Sequence, residues 1–460
     1  MKSLWPVAAC VLFSVADARS SPAAETIDVR PLVAAARRAG LRVVEGRRLT
    51  LATDRPDREA DGVADLPAVF DQAFEAWCAH YGIAPASLAD WTCFGCLVVD
   101  RERFRSAGLL PPEIPEFANG FCDRNRFWLV DPSNPAYRRH LLLHEGVHAF
   151  TLTVRDLATP PWYTEGIAEY LATHRLEAAA DGRSRFVPTP LPDRPGDVEQ
   201  LGRIERIRGL RRSGAAPGLA TVLATPVGDH RDVASYATSW AAVTLFARHP
   251  AHARPFAAAE RGPLDAAFTD RLTASRDWDE SRAARDFDAF TDELDYGFDF
   301  SRSAIDWSSG QPADAAERFT VDAARGWQHS GLSLVAGETY ALTATGTVRI
   351  GSLPATADAP ATSLESTADG ISLRWYRGRP LGRLLAAQWD DRPADGGRPR
   401  FTVVVTGSGG EFTAPVSGPL YLKVNDPPGE LADNAGSLAA TLTPAPRTPQ
   451  PPDSAGSSRP

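Results

Sequence analysis

Hydrophobic periodicity changes once along this chain, and that change limits what the chain can fold into. From residue 132 to residue 294 apolar side chains recur at helical spacing, in runs over 137–153, 163–175, 198–211, 235–248 and 279–294. After Phe319 the texture is short alternating runs rich in Thr, Val and Gly, such as 340–345, 372–376 and 401–405, which is the pattern of strands. Between them lies Ser308-Ser309-Gly310-Gln311-Pro312, with the composition of a linker. A length of 460 residues also exceeds what one hydrophobic core usually organises, roughly 250–300 residues. The expectation is an α+β unit over 25–307, a linker over 308–316 and an all-β sandwich over 317–443. The Pro- and Ser-rich residues 444–460 are expected to be a disordered tail.

Within the first unit, a helix is expected over 30–40, a strand over 41–52 and an amphipathic helix over 66–81 with Val69, Phe70, Ala73, Phe74 and Trp77 on one face. Two more strands are expected over 92–99 and 120–130.

The chain opens on Lys2, a short apolar run over 4–15 and the small-x-small triplet Ala16-Asp17-Ala18, so residues 1–18 are expected to be a signal peptide and the protein secreted or periplasmic. No later segment approaches the ~20 apolar residues that span a bilayer. Cys78, Cys93, Cys96 and Cys122 then remain, and export leads to an expectation of two disulfides whose pairing the spacing leaves open. The formal charge of -9 comes without any basic block, which argues against a nucleic-acid partner.

The chemistry is concentrated in 144–170. His144-Glu145-Gly146-Val147-His148 lies inside a helical run, and two imidazoles four residues apart on a helix share one face and can reach one ion. Sixteen residues, 149–164, separate His148 from Glu165, enough to end one helix, cross Pro160-Pro161 and start another. Trp162-Tyr-Thr-Glu165-Gly-Ile-Ala-Glu169-Tyr170 then offers a third ligand. HExxH followed by this segment resembles the gluzincin branch of zinc peptidases, including the peptidase MA-like families. The resemblance implies a zincin-like fold, a zinc ion held by His144, His148 and Glu165, and Glu145 as general base for hydrolysis by water. It also implies that Glu169 hydrogen-bonds a ligating imidazole, and that Tyr236, in Ser235-Tyr-Ala-Thr-Ser-Trp240, stabilises the oxyanion. The other histidines, His80, His174 and His230 among them, show no ligand spacing and are expected to be structural.

Oxygen-rich loops close the β region: Asn425-Asp426, and Asp433-Asn434 after a turn at Pro427-Pro428-Gly429. With Gly346–Gly351 and Pro380-Leu381-Gly382 they resemble the small calcium-dependent galactose-binding lectins of bacteria. That resemblance implies Ca2+ on the side chains of Asp426, Asp433 and Asn434 and the carbonyls of Ile350 and Glu430, and carbohydrate as a partner. Ile350 stands where those lectins have an aromatic residue, Asp433 where they have asparagine, and no histidine occurs at 352–379.

The expectation for the whole is an exported zinc peptidase acting on a peptide or protein substrate. The alternative is a cell-surface or glycan-binding protein in which the β-sandwich is functional and the zinc domain vestigial.

Overall fold

The computed structural model describes residues 25–56, 62–179, 184–197, 202–226, 232–353, 355 and 360–445. The signal peptide at 1–18, the tail beyond 445, His230 and residues 198–201 of one expected helix lie outside the described residues. The chain is a mixture of helices and sheets and divides into two compact units. The first runs up to Ser301 and includes Ala394–Arg398; the second comprises the remainder from Arg302 onward.

The first unit begins with helix α1 (Arg30–Arg38) and a hairpin of β1 (Arg42–Glu45) and β2 (Leu49–Thr53), where a single strand over 41–52 is expected. Arg48 and Gly46 explain the turn. Gly46 N–H reaches Leu49 O at 2.8 Å, and the buried Arg48 guanidinium donates to the carbonyls of Ala89 and Trp91 at 2.9 and 3.1 Å. Helix α2 (Leu66–Tyr81), strand β3 (Cys93–Val98) and helix α3 (Arg101–Ser106) follow. The region expected as one strand over 120–130 is a second hairpin, β4 (Gly120–Asp123) and β5 (Arg126–Val130), turning at Arg124 with φ 56°.

These strands form one five-stranded sheet in the order β1-β2-β3-β5-β4, parallel where β2, β3 and β5 meet and antiparallel at both edges. Strand alternation divides its side chains between two cores. Leu49, Leu51, Cys93, Leu97, Phe127 and Leu129 face one core; Ala52, Phe94, Cys96, Val98 and Trp128 face the other. The first face is covered by α2 and by α4 (Pro135–Val154).

Beyond α4 come α5 (Pro161–Ala172), the hairpin β6 (His174–Ala178) and β7 (Ser184–Pro188), and helices α6 (Arg203–Arg212), α7 (Leu219–Leu223), α8 (Val233–Arg248), α9 (Ala253–Arg261), α10 (Phe268–Thr273) and α11 (Glu280–Glu293). The β6–β7 hairpin is absent from the sequence expectation, because Arg175 to Ala178 carries no clear alternation.

The same alternation corrects the disulfide expectation, since Cys78, Cys93, Cys96 and Cys122 are all free thiols. Cys93 and Cys96 are three apart on β3, hence on opposite faces. Cys93 and Cys122 share a face, but β5 lies between their strands, as the pairings Cys122–Phe127 and Phe127–Gly95 show. Two strand spacings come to about 9–10 Å, beyond the reach of a disulfide.

The second unit is built from strands. In chain order they are β8 (Gln311–Pro312), β9 (Glu317–Asp322), β10 (Gln328–Leu334), β11 (Thr339–Thr345), β12 (Thr347–Leu353), β13 (Thr362–Thr367), β14 (Asp369–Tyr376), β15 (Arg379–Asp390), β16 (Arg400–Thr406), β17 (Gly409–Thr413), β18 (Gly418–Val424), β19 (Asn434–Ala435) and β20 (Ser437–Pro444). One sheet runs β14-β15-β18-β10-β8 with β16 also on β15; a second runs β17-β11-β20-β9; a third runs β13-β12-β19. Their inner faces share a core of Leu, Val and Ala around Leu342, Leu384, Leu422 and Leu438. Residues 308–316, expected as a linker, enter this unit instead: β8 pairs in parallel with β10 and Ala313 is buried in the core.

Candidate metal centre

Helix α4 is firmly started. Asn134 Oδ1 accepts from Tyr137 N–H at 2.8 Å, and Pro135 opens the first turn. Arg138 ties that turn to the end of β5, reaching Asp131 Oδ1 at 2.5 Å and Pro132 O at 2.9 Å. From His140 to Thr151 the helix is buried on every side, so its polar residues are held inside the protein. His144 and His148 point to one place, their Nε2 atoms 3.1 Å apart.

Helix α5 supplies the third group. Glu165 Oε2 lies 3.2 Å from His144 Nε2 and 3.5 Å from His148 Nε2, with Glu165 wholly buried. Both imidazoles are close enough to interact with the carboxylate, but neither Glu165 oxygen has a hydrogen bond of good geometry. Burial is the largest influence on this carboxyl and pushes its pKa up, but His148 and His144 together outweigh it and hold it below the usual carboxylate range. A buried carboxylate with bare oxygens facing two imidazoles fits a cation in the middle, and the three donor atoms could hold a metal ion. The three ligand positions expected from sequence are thus brought together.

Two glycines make this convergence possible. A Cβ on Gly146 would come within 2.5 Å of the Phe70 ring, so Gly146 lets α4 settle on α2. A Cβ on Gly166 would come within 2.5 Å of Ser239 O, so Gly166 lets α5 press against α8. Each glycine directly follows a glutamate of the site. Glu145 is buried and faces strand β4, where a Cβ at Gly120 would overlap its carboxylate. The edge strand therefore lies directly against the expected base. Tyr236, on the first turn of α8, is buried with its ring 6.1 Å from that of His144 at 65°.

Glu169 sits one turn after Glu165 and is 3% exposed. Its Oε1 lies 3.3 Å from His144 Nδ1, the contact expected for it. Two further partners escape the sequence reading. Arg203 donates from Nη2 to Oε1 at 2.6 Å and from Nε to Oε2 at 3.0 Å, and His140 Nε2 lies 3.2 Å from Oε2. Burial pushes the Glu169 carboxyl up, but Arg203 first and His140 next hold it well below the usual range. His140 stands four residues before His144, a spacing legible in the sequence; nothing local marks Arg203, which is 34 positions from Glu169.

A second buried histidine–carboxylate group lies at the far end of α8. His249, His252 and Asp286 bring their donor atoms together, and the spacing His249-x-x-His252 is itself a legible signal. Here the carboxylate is already hydrogen-bonded to an imidazole. His252 Nε2 is 2.8 Å from Asp286 Oδ2, Ala251 N–H donates to His249 Nδ1 at 3.2 Å, and Arg282 stands 3.5 Å from the same carboxylate. His80 and His174 are structural as expected: His80 pairs with Glu260 at 3.0 Å, and His174 lies between Ala172 O and Arg139 Nε, each at 2.7 Å.

In the second unit, Asp426 and Asn434 meet, Asn434 Nδ2 donating to Asp426 Oδ2 at 2.7 Å and to Ala323 O at 3.0 Å. Asp426 Oδ1 and Asn434 Oδ1 are buried without a hydrogen-bond partner. Asp433 turns its side chain toward Gly351, and β12 pairs Ile350 with Asn434. Burial, with Glu430 and Asp433 nearby, pushes the Asp426 carboxyl up to about 7. Bare buried oxygens beside other carboxylates fit a hard cation.

No protein-family model matches the chain, and no curated protein matches it. Among solved structures it is similar to one described as "EclA N-terminal domain; PllA-like lectin", at 22% identity over 28% of this chain and 95% of that chain, with a TM-score of 0.20. Among the described residues no helix is long and apolar enough to cross a membrane.

Proposed function

We propose that this chain is an exported zinc-dependent peptidase, hydrolysing peptide bonds at the centre formed by His144, His148 and Glu165. The observation that carries the reading is the buried Glu165 carboxylate, which has no hydrogen bond of good geometry while facing two imidazole nitrogens. Two histidines and one carboxylate leave an open position, the donor set of a catalytic rather than a structural zinc. When bound, zinc would acidify water and polarise a carbonyl there. Glu145, one residue after His144 and out of the ligand set, takes the proton from the attacking water and returns it to the leaving amine. Tyr236 directs its phenol toward the developing oxyanion. The outer edge of β4 receives an extended peptide as an added strand, setting its carbonyl beside Glu145. Export rests on the leader at 1–18.

A second reading concerns the β unit and is favoured by the bare oxygens of Asp426 and Asn434: a calcium-dependent carbohydrate-binding module that keeps the peptidase near a glycan-bearing surface.

The test is cleavage of a diverse unstructured peptide mixture by the mature protein with zinc, beside Glu145→Gln. Cleavage by the wild type and a loss of about 100- to 10,000-fold in the variant, with zinc retained, is the expected result. Zinc binding without cleavage by either protein would overturn the peptidase reading.

A further inference from the structure

We infer that Arg203 and His140 are positioning residues for the metal centre, acting through Glu169 to present His144 as a ligand; the inference rests on the zinc reading above. Four contacts fill the Glu169 carboxylate. Arg203 clamps both oxygens through a fork of two N–H groups, His144 Nδ1 takes the remaining side of Oε1, and His140 Nε2 that of Oε2.

Each contact has a consequence. A proton held on His144 Nδ1, which lies 3.3 Å from Glu169 Oε1, leaves His144 Nε2 bare, and Nε2 is the atom facing Glu165 and His148. The imidazole can hold that tautomer and tilt only while the carboxylate plane is fixed. A single histidine would leave a carboxylate free to turn about its own axis; the planar Arg203 fork removes that freedom, and His140 occupies the lobe into which it would turn. His140 is on α4 one turn before His144, whereas Arg203 opens α6. The clamp therefore makes the docking of α6 a condition for a well-formed site.

A rival role predicts the opposite sign. Were Arg203 only a positive charge near the site, its removal would relieve repulsion of the cation and tighten binding. Orientation through Glu169 predicts weakening.

The experiment measures zinc affinity of the full mature protein by chelator competition, together with the visible spectrum of the cobalt-substituted form. Wild type, Arg203→Met, Arg203→Lys, His140→Phe, Glu169→Ala and the double variant Arg203→Met/Glu169→Ala are compared. Arg203→Met and His140→Phe are each expected to weaken zinc by about 10- to 100-fold and to alter the cobalt spectrum. Arg203→Lys, which keeps the charge and loses the fork, falls between. The double variant is no weaker than Glu169→Ala alone, because both changes remove one device. Unchanged or tighter zinc in Arg203→Met, or additive losses in the double variant, would overturn the inference. If Arg203→Met does not fold, Arg203→Lys and His140→Phe decide by the same criteria. Wild-type protein that binds no zinc, or whose zinc survives His148→Ala, would instead sink the zinc reading itself.

Discussion

Helix α8 has a histidine–carboxylate group near each end, and the two groups are opposites. Near its start, Tyr236 adjoins His144, which meets His148 and Glu165 where the carboxylate oxygens have no hydrogen bond of good geometry. At its end, His249 and His252 surround an Asp286 that is already 2.8 Å from one imidazole and 3.5 Å from a guanidinium. Both groups are buried and both contain two histidines and an acid. What separates them is where the lone pairs go. A cluster whose polar atoms satisfy one another is a piece of core; one whose lone pairs converge and stay bare has room for a cation.

The largest expected effect that would break this comparison is loss of a ligand. His148→Ala or Glu165→Gln should weaken zinc by on the order of a thousandfold or more, since a complete site is worth roughly 10–16 kcal/mol. His252→Gln should leave zinc stoichiometry untouched and instead cost about 1.5–3 kcal/mol of stability, the worth of a hydrogen bond to a charged group. Metal analysis beside denaturant unfolding separates the two; zinc lost from His252→Gln would erase the distinction.

Gly120→Ala comes next. Its methyl would collide with the Glu145 carboxylate, so peptide hydrolysis should fall by about 100-fold, the lower end of what a misplaced base costs, with zinc affinity unchanged. Activity within twofold of wild type would show that Glu145 is not held against the edge strand.

In the second unit, calcium should raise the unfolding midpoint by the mass-action amount for its affinity, about 2.7 kcal/mol at a hundredfold excess over Kd. Asp426→Asn should remove most of that gain, as a calcium series by calorimetry would show.

The smallest effect is on pH dependence. Burial pushes His174 down to about 3 and His249 down to about 4 from an ordinary 6.5. A depressed imidazole is neutral in the folded chain, so its stabilising contribution is complete above pH about 6.5 and is lost as pH falls toward 4. The stability slope between pH 7 and 4 should flatten in His249→Gln, and an unchanged slope would show that this histidine is accessible to protons in the folded state.

Much of the candidate metal centre is legible in the amino-acid sequence alone. His144, His148 and Glu165 can be placed because helical spacing and a Pro-Pro break are local signals, and α2 runs from Leu66 to Tyr81 as its apolar face predicts. The two edge hairpins look like single strands in sequence because their turns, at 46–48 and 124–125, are only three and two residues long and interrupt the strand pattern too briefly to stand out. The disulfide expectation fails because cysteine counting ignores strand alternation. Arg203 is invisible for a different reason: its partner is set by tertiary packing, and an arginine on a short helix ordinarily faces water.

Gly120, Gly146 and Gly166 carry no chemistry, yet each occupies a place where a single methyl would strike the neighbour that aligns the site. In a scan of every substitution scored by activity, these three positions should be as intolerant as the ligands themselves. A map of intolerant positions drawn from such a scan alone would contain three residues that bring no functional group, and their signature would be that alanine, the mildest change elsewhere, is already ruinous.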